Sequence, residues 1–179
     1  VLIENDANLA GLAETRLLRT IPNCSLYVTV STGIGTGVCT NGYIDPGMRY
    51  SEAGRALIEY GGKIHSWESF ASGRAIVDAY HKFARDITSK RTWKKIADRI
   101  SRGFLAVIPI IQPDVIIIGG SVGTYFDRYG DYLRDILIAH LPPHIPCPKI
   151  IQARHPEEAV VYGCYYYGKD FLALAKNKR

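Results

Sequence analysis

The sequence has no long apolar run. Its longest aliphatic stretch, Val115-Ile116-Ile117-Ile118, ends at a pair of glycines, whereas a membrane helix needs roughly 20 apolar residues. The sequence therefore excludes a membrane span, and its first residues do not form a signal peptide. We expect a cytoplasmic protein. Because the chain begins at Val1 and Met48 is its single methionine, we interpret it as a piece of a longer chain.

Cysteine is scarce as well. The four cysteines are separated by 15, 108 and 17 residues, and they are Cys24, Cys39, Cys147 and Cys164. These spacings form neither a CxxC pair nor a zinc-binding pattern. We therefore expect reduced thiols and no metal site built from cysteine.

The net charge is small. With 22 Lys+Arg against 17 Asp+Glu it is +5, and the basic residues cluster between Arg85 and Arg102 and at Lys176, Lys178 and Arg179. A nucleic-acid groove would combine a denser basic stripe with interleaved aromatic rings, so we expect no nucleic-acid partner. With 179 residues, 47% hydrophobic and 22% charged, the chain has the composition of one globular domain or one large lobe.

Strand and helix patterns alternate along the chain. They predict the end of a strand at 1–3, strands at 26–30, 56–59, 114–118 and 149–151, and another strand beginning at 37. Helices are predicted at 6–19, 67–84, 93–111, 125–140 and 157–176. Asn41-Gly42 predicts a hairpin turn, and the apolar 114–118 segment predicts a strand that is covered on both faces. Early hairpins followed by strand–helix units indicate an α/β fold, in which a mixed sheet carries helices on its faces.

Two glycine-containing turns follow predicted strands. The 31–37 segment, Ser-Thr-Gly-Ile-Gly-Thr-Gly, would let the backbone approach a bulky anion, with amides and the Thr32 hydroxyl as donors. Gly119-Gly120 lies between the buried strand and a helix, where nucleotides commonly bind. Neither turn is a P-loop or a dinucleotide-binding fingerprint. A plain glycine-rich hairpin and tight strand–helix packing therefore remain the alternatives.

The segment 4–8, Glu-Asn-Asp-Ala-Asn, places four hydrogen-bonding side chains at the start of a predicted helix. A helix N-terminus stabilises a carboxylate, so Asp6 can accept a hydroxyl proton while Asn5 orients the substrate. A helix cap without a catalytic role is the alternative. Glu52 and Glu68 lie in two further glycine-containing segments, and together with Asn5 and an arginine they would form a polyol-binding pocket if the fold brings them together.

The order of five motifs resembles the ROK family of sugar kinases and sugar-responsive repressors. The motifs are Glu-Asn-Asp-Ala-Asn at 4–8, Thr-Gly-Ile-Gly-x-Gly at 32–37, Glu-Ala-Gly-Arg at 52–55, Trp-Glu-x-x-x-Ser-Gly at 67–73 and Pro-Asp-x-Ile-Ile-Ile-Gly-Gly at 113–120. The resemblance implies the actin-like, ribonuclease-H-like ATPase fold. Residues 1–179 would be its carboxyl-terminal large lobe, and the amino-terminal lobe with the family's Asp-x-Gly-Gly-Thr phosphate loop is not in this sequence.

The resemblance also implies roles for individual residues. It assigns the catalytic base to Asp6, sugar hydroxyls to Asn5, Glu52 and Glu68, the phosphates to Thr32 and Gly33, and the nucleotide to Gly119 and Gly120. Arg55 stands where the family usually has a histidine that contacts the sugar, which makes it a candidate sugar ligand here. The 52–68 segment lacks the family's zinc-binding cysteines, so we expect no zinc.

The expected activity is phosphorylation of a hexose by the intact protein with ATP and Mg²⁺, as in glucokinases. The isolated chain should be nearly inactive because one phosphate loop is missing. A non-catalytic sugar-sensing or dimerisation lobe of a repressor or pseudokinase is the alternative. The resemblance further implies a homodimer through this lobe. Tyr162, Tyr165 and Tyr166 would share one face of the last predicted helix, as interface tyrosines do.

Overall fold

A five-stranded mixed sheet forms the centre of the molecule, and the computed structural model describes residues 1–176. The strands are β1 (Cys24–Val30), β2 (Ile34–Thr40), β3 (Tyr43–Ile44), β4 (Leu57–Tyr60), β5 (Lys63–Ser66), β6 (Val115–Gly119) and β7 (Lys149–Gln152). The central sheet has the order β3-β2-β1-β6-β7, and β4 and β5 form a separate hairpin. The α-helices in the described range are α1 (Asp6–Arg16), α2 (Trp67–Ala71), α3 (Gly73–Tyr80), α4 (Lys90–Ile111), α5 (Gly120–Gly123), α6 (Gly130–His140) and α7 (Ala159–Lys176).

Strand β1 joins the antiparallel and parallel halves of the sheet. Val28 lies opposite Thr36 of β2 in an antiparallel pair and opposite Ile118 of β6 in a parallel pair. Strand β6 then pairs in parallel with β7. The predicted mixed sheet is confirmed. Since a parallel pair needs a long crossover, the segment 31–114 connects two strands that are neighbours in space.

Alternate residues of β1 and β6 are buried on opposite faces of the sheet, as strand geometry requires. On one face, Leu26 and Ile116 belong to a core with side chains of α4 and α6. On the other face, Tyr27 and Ile117 belong to a smaller cluster with residues of α1 and α7. The sheet is therefore covered by helices on both faces, which explains the unbroken apolar sequence of β6.

Helix α4 supplies much of the larger core. Its buried side chains recur every three or four residues from Trp93 to Ile108, the pattern of a helix with one apolar face. Ser89 caps its start by accepting a hydrogen bond from the Thr92 amide at 3.3 Å. Pro109 lies in the last turn, and the helix ends where Gln112 adopts a left-handed backbone with φ of 48°.

The turn at Asn41-Gly42 is confirmed, with φ of 52° and 81° at the two residues. Positive φ at both central positions is the signature of a type I′ hairpin turn. Several other boundaries differ from the prediction. The segment 1–3 is exposed coil, so the predicted strand there is wrong. The predicted 67–84 helix divides at Ser72, whose extended backbone caps α3.

Helix α6 is shorter than predicted, and strand β2 is longer. The predicted 125–140 helix begins only at Gly130, because a 3-10 turn occupies Phe126–Arg128. Strand β2 begins at Ile34 rather than at the predicted residue 37, so Gly35 lies inside a strand and not in a loop. Lys178 and Arg179 of the basic carboxyl end lie outside the described residues. Over the range that is described, every helix is too short or too polar to cross a membrane.

Candidate functional site

Asp6 is the first residue of α1 and lies at the edge of a cavity. Asn5 is the N-cap of this helix: its Oδ1 accepts a hydrogen bond from the Ala7 amide at 2.8 Å. Asp6 Oδ1 accepts from the same amide at 2.7 Å, and none of the described residues donates to Asp6 Oδ2. One carboxylate oxygen is thus anchored at the positive end of a helix, while the other is available to a ligand.

A cavity of about 190 Å³ lies beside Asp6 at the carboxyl ends of β1 and β6. We call it the Asp6 cavity. Its walls include Asp6, Tyr27, Ser31, Gly120, Ser121 and Glu157. Ligands of open α/β sheets bind beyond the carboxyl ends of the strands, so this cavity occupies the expected position for a functional site.

A larger cavity of about 780 Å³ adjoins the Asp6 cavity. The two share Ser31, Ser121 and Glu157 as lining residues. The other walls of the large cavity include Thr32, Arg74, Phe83, Arg85, Val122 and Tyr125. Its volume is that of a typical small-molecule site, and it combines apolar rings with a few charged groups in the same way.

Tyr27 is a buried residue in the wall of the Asp6 cavity. The residue is 2% exposed, and burial, reinforced by the nearby Glu14 and Asp6 carboxylates, raises the pKa of its hydroxyl to about 12. The hydroxyl lies against Gly119, where a β carbon would overlap it.

Glu68 and Arg55 meet beside Gly33. The Glu68 carboxylate accepts a long hydrogen bond of 3.4 Å from the Ile34 amide, and Arg55 Nη1 lies 3.7 Å from its other oxygen. A β carbon at residue 33 would stand 2.8 Å from Glu68 Oε2. The Glu68 carboxylate thus lies directly against the backbone at Gly33, and a side chain there would have to displace it.

The segment that carries Glu52 and Arg55 is fixed against β2. Gly54 packs on the Ile34 carbonyl group, and the Ala53 amide donates to Thr36 Oγ1 at 3.3 Å. Glu52 is exposed and immediately precedes this turn. The structure therefore brings Arg55, Glu68 and Gly33 together, with Glu52 at the start of the same short segment.

Packing accounts for several of the glycines. A β carbon at residue 37 would overlap Ala7 of α1, and one at residue 119 would overlap the Tyr27 hydroxyl. Gly120 has a φ of 82°, which favours glycine, and its amide donates to the Pro156 carbonyl at 2.6 Å. Contacts of these glycines with phosphate or nucleotide remain predictions.

Glu4 and Asn8, the outer residues of the first motif, belong to a structural network. Glu4 forms an ion pair of 2.7 Å with Arg49, and its side chain is only 4% exposed. Asn8 Nδ2 donates to Glu4 Oε1 at 3.0 Å and to the Arg49 carbonyl at 2.8 Å. Of the four polar side chains in this motif, only Asp6 is among the residues that line the cavity.

Several cavity residues were not anticipated from the sequence. Ser31 and Ser121 directly follow β1 and the Gly119-Gly120 pair, so the strand-end rule could have identified both. The sequence indicated the cavity position of Tyr27 less strongly, only through the alternation of faces along the strand β1. Glu157 lies in a loop before α7, and no sequence pattern indicated that this loop reaches the Asp6 cavity.

The Asp6 cavity contains few side chains that could bind a metal ion. Within residues that the structure describes, no three His, Cys, Asp or Glu side chains are grouped as a protein-only metal site would require. Asp6 and Glu157 do line one cavity together with the hydroxyl-bearing Ser31 and Ser121. Such oxygen donors suit Mg²⁺, which commonly binds through one or two carboxylates, waters and substrate phosphates.

The fold is the actin-like ATPase fold that the motifs predicted. The structure of a ROK family glucokinase from Streptomyces griseus, in complex with glucose and AMPPNP, matches 90% of this chain with a TM-score of 0.75 at 20% identity, over 66% of its own length. A ROK family transcriptional regulator matches 89% of the chain with a TM-score of 0.71 at 18% identity, over 49% of its length. At these identities the similarity establishes the fold alone.

Sequence similarity then establishes the family. The ROK family pattern matches residues 1–170, and the chain belongs to the ROK family. A polyphosphate glucokinase of Mycobacterium tuberculosis is 31% identical over 139 residues, which cover 75% of this chain and 45% of the relative. An N-acetylmannosamine kinase of Haemophilus influenzae is 29% identical in an alignment that covers 94% of this chain and 63% of the relative. The chain thus spans about half to two thirds of the length of these relatives.

Proposed function

We propose that the protein containing this chain phosphorylates a hexose with ATP, and that this chain carries the catalytic base and the sugar pocket. The observation that supports the proposal is the position of Asp6. Its cavity shares three lining residues with a second cavity large enough for a nucleotide. This position would let the Asp6 carboxylate accept a proton where a sugar hydroxyl meets the phosphoryl donor.

Asp6 suits the role of general base. Its anchored Oδ1 fixes the direction of the carboxylate, and its Oδ2 is available to accept the proton of a sugar hydroxyl as that oxygen attacks phosphorus. Position comes first in such catalysis, since the base must lie within hydrogen-bond reach of the proton that it removes. Most of the remaining acceleration of phosphoryl transfer comes from alignment and charge neutralisation.

The donor side belongs to the large cavity. Phe83, Val122 and Tyr125 supply apolar surface for a base, and Arg74 and Arg85 supply positive charge for phosphate oxygens. Thr32 lines the large cavity next to the shared Ser31, and we assign it to the phosphates. Glu157, with the Ser31 and Ser121 hydroxyls that line both cavities, would hold Mg²⁺, and the ion when bound would neutralise charge on the phosphates.

The acceptor side is assigned to Asn5, Glu52, Arg55 and Glu68. Carboxylates accept hydrogen bonds from sugar hydroxyls, and the Asn5 carboxamide can both accept and donate. Glu68 is only partly exposed, at 28%, whereas Arg55 is 75% exposed. The weak Arg55–Glu68 contact leaves both groups able to turn toward a sugar. Glucose and N-acetylmannosamine, named in the relatives, are the first sugars to test.

A coupled assay of ADP release by the complete protein, with a panel of hexoses, tests the proposal. Asp6→Asn should lower kcat by about 10²–10⁴-fold, the usual cost of losing a general base, and leave sugar affinity nearly unchanged. The matched control is Asp131→Asn, because the Asp131 side chain is 91% exposed and forms only an i,i+3 ion pair on α6. An Asp6→Asn variant with normal kcat would refute the assignment.

The second candidate is a sugar-sensing lobe without turnover. The similarity in fold to a ROK family transcriptional regulator favours including it. It predicts saturable hexose binding by the complete protein with no release of ADP. Inorganic polyphosphate belongs in the same assay as an alternative donor, since a polyphosphate glucokinase is among the relatives.

A further inference from the structure

Glu14 is a buried carboxylate that the proposed reaction does not use. It lies in α1 and is 2% exposed. Its Oε2 accepts a hydrogen bond from the Arg154 amide at 2.6 Å, and its Oε1 accepts one from the His155 amide at 2.8 Å. Burial of a carboxylate is costly unless such charge-assisted bonds compensate for lost water. Its observed partners are thus the backbone amides of a single loop.

That loop, residues 153–158, connects β7 to α7 and is fixed at two other points. The Ala153 amide donates to the Ile118 carbonyl at 2.8 Å, and the Pro156 carbonyl accepts from the Gly120 amide at 2.6 Å. The amides bound by Glu14 lie between these points. The Ile118 and Gly120 bonds hold the loop against the carboxyl end of β6, and the Glu14 bonds hold it against α1.

The 153–158 loop forms part of the walls around the proposed site. Pro156 and Glu157 line the Asp6 cavity, and Glu157 also lines the large cavity. A displacement of the loop would therefore move the surface where the two cavities meet. The Glu68 and Arg55 pair is attached through β2 and α2 instead, so it would be less affected.

Helix α1 carries both Asp6 and Glu14. They are eight positions apart in sequence, which corresponds to about 12 Å along a helix. One rigid element therefore determines where the proposed base stands and where the 153–158 loop is attached.

We infer that Glu14 is a positioning residue for the phosphoryl donor: it holds the 153–158 loop so that Pro156 and Glu157 shape the junction between the Asp6 cavity and the large cavity. This inference rests on the proposed function. Glu14→Gln keeps the size of the side chain but places an NH₂ group against one of the two amide donors. Glu14→Asp keeps the charge and withdraws it by one methylene.

The test uses the complete protein with Glu14→Gln, Glu14→Asp and the control Glu158→Gln. Glu158 lies in the same loop, its side chain is 75% exposed, and its contact with His155 is a long 3.9 Å. ATP and hexose affinities are measured by calorimetry, amide exchange of residues 149–158 by mass spectrometry, and folding by thermal unfolding. Glu14→Gln should weaken ATP binding about tenfold, the scale of one lost charge-assisted bond, with hexose affinity changed less than twofold.

The expected pattern also includes faster exchange of the Arg154 and His155 amides, an intermediate effect of Glu14→Asp, and wild-type behaviour of Glu158→Gln. Unchanged ATP affinity in a folded Glu14→Gln variant would overturn the inference, and so would equal losses of ATP and hexose affinity. A wild-type protein that binds ATP but transfers no phosphoryl group refutes the proposed function alone, because the affinity comparison still decides the role of Glu14. Absence of ATP binding by the wild-type protein overturns both.

Discussion

Substitution of Gly37 by alanine would test how closely α1 must approach the sheet. A β carbon at residue 37 would overlap the carbonyl oxygen of Ala7, and it would lie 2.8 Å from the Ala7 carbonyl carbon and 2.9 Å from Asn8 Cα. All three are backbone atoms of α1, so no side-chain rotation can relieve the overlap. The helix itself has to move.

The magnitude follows from contact distances. Carbon atoms pack best at about 3.5–4.0 Å, so the start of α1 must retreat by roughly 0.6 Å or more. Overpacking of this kind costs about 1–3 kcal/mol. For a chain of this size each kcal/mol lowers Tm by about 2–4 °C, so we expect Gly37→Ala to lower Tm by about 2–12 °C. Because Asp6 directly precedes Ala7, kcat should fall as well.

Thermal unfolding followed by circular dichroism measures the first effect, and the ADP-release assay measures the second. The matched control is Gly168→Ala, since a β carbon there would meet no atom within 4 Å and the residue lies inside α7. Alanine should stabilise that helix by about 0.5–1 kcal/mol. If Gly37→Ala unfolds within 1 °C of the wild-type protein, the close approach of α1 to β2 is not a constraint and the packing argument fails.

Other expectations concern thiols, assembly and metal content. A thiol reagent at pH 8 should label the exposed Cys164 first and leave Cys39 unmodified in the folded chain. The reason is that burial raises the pKa of the Cys39 thiol to about 12. Rapid labelling of Cys39 would contradict its burial. Sedimentation at micromolar concentration should show a dimer, for which Tyr165, 64% exposed on α7, is a candidate interface residue; a stable monomer would refute the dimer. Metal analysis should find no stoichiometric zinc, and one zinc per chain would overturn that expectation.

Local signals predicted the parts of the fold that depend on neighbouring residues. The Asn41-Gly42 turn and the buried strand β6 needed only turn chemistry and apolar length, and both are present. The predicted strand at 1–3 was wrong because apolar residues make a strand only when another strand pairs with them. The glycines at 35 and 37 indicated freedom of the backbone, but the sequence could not show that a helix, rather than a ligand, occupies the space beside Gly37.

Some residues of the candidate site have a local sequence signature, and others depend on contacts between distant segments. Asp6 could be predicted because a carboxylate at a helix start has a local signature. Glu14 and Glu157 could not, since the role of each depends on a loop some 140 residues away from α1 in sequence. The convergence of Arg55 with Glu68 likewise depends on how the β4–β5 hairpin and α2 pack beside β2.

The parallel pairing of β1 with β6 has a consequence for how the chain acquires its structure. The Asp114 amide donates to the Cys24 carbonyl, and the Cys24 amide donates to the Asp114 carboxylate, across 90 residues. During synthesis, β1 and β2 can pair as soon as both have emerged from the ribosome. The other edge of β1 stays unpaired until the segment 31–114 and β6 have also been synthesised. An unpaired strand edge of this kind is a template for wrong partners. Folding yield should therefore be most sensitive to chaperones and temperature during that interval, long before any ligand site exists.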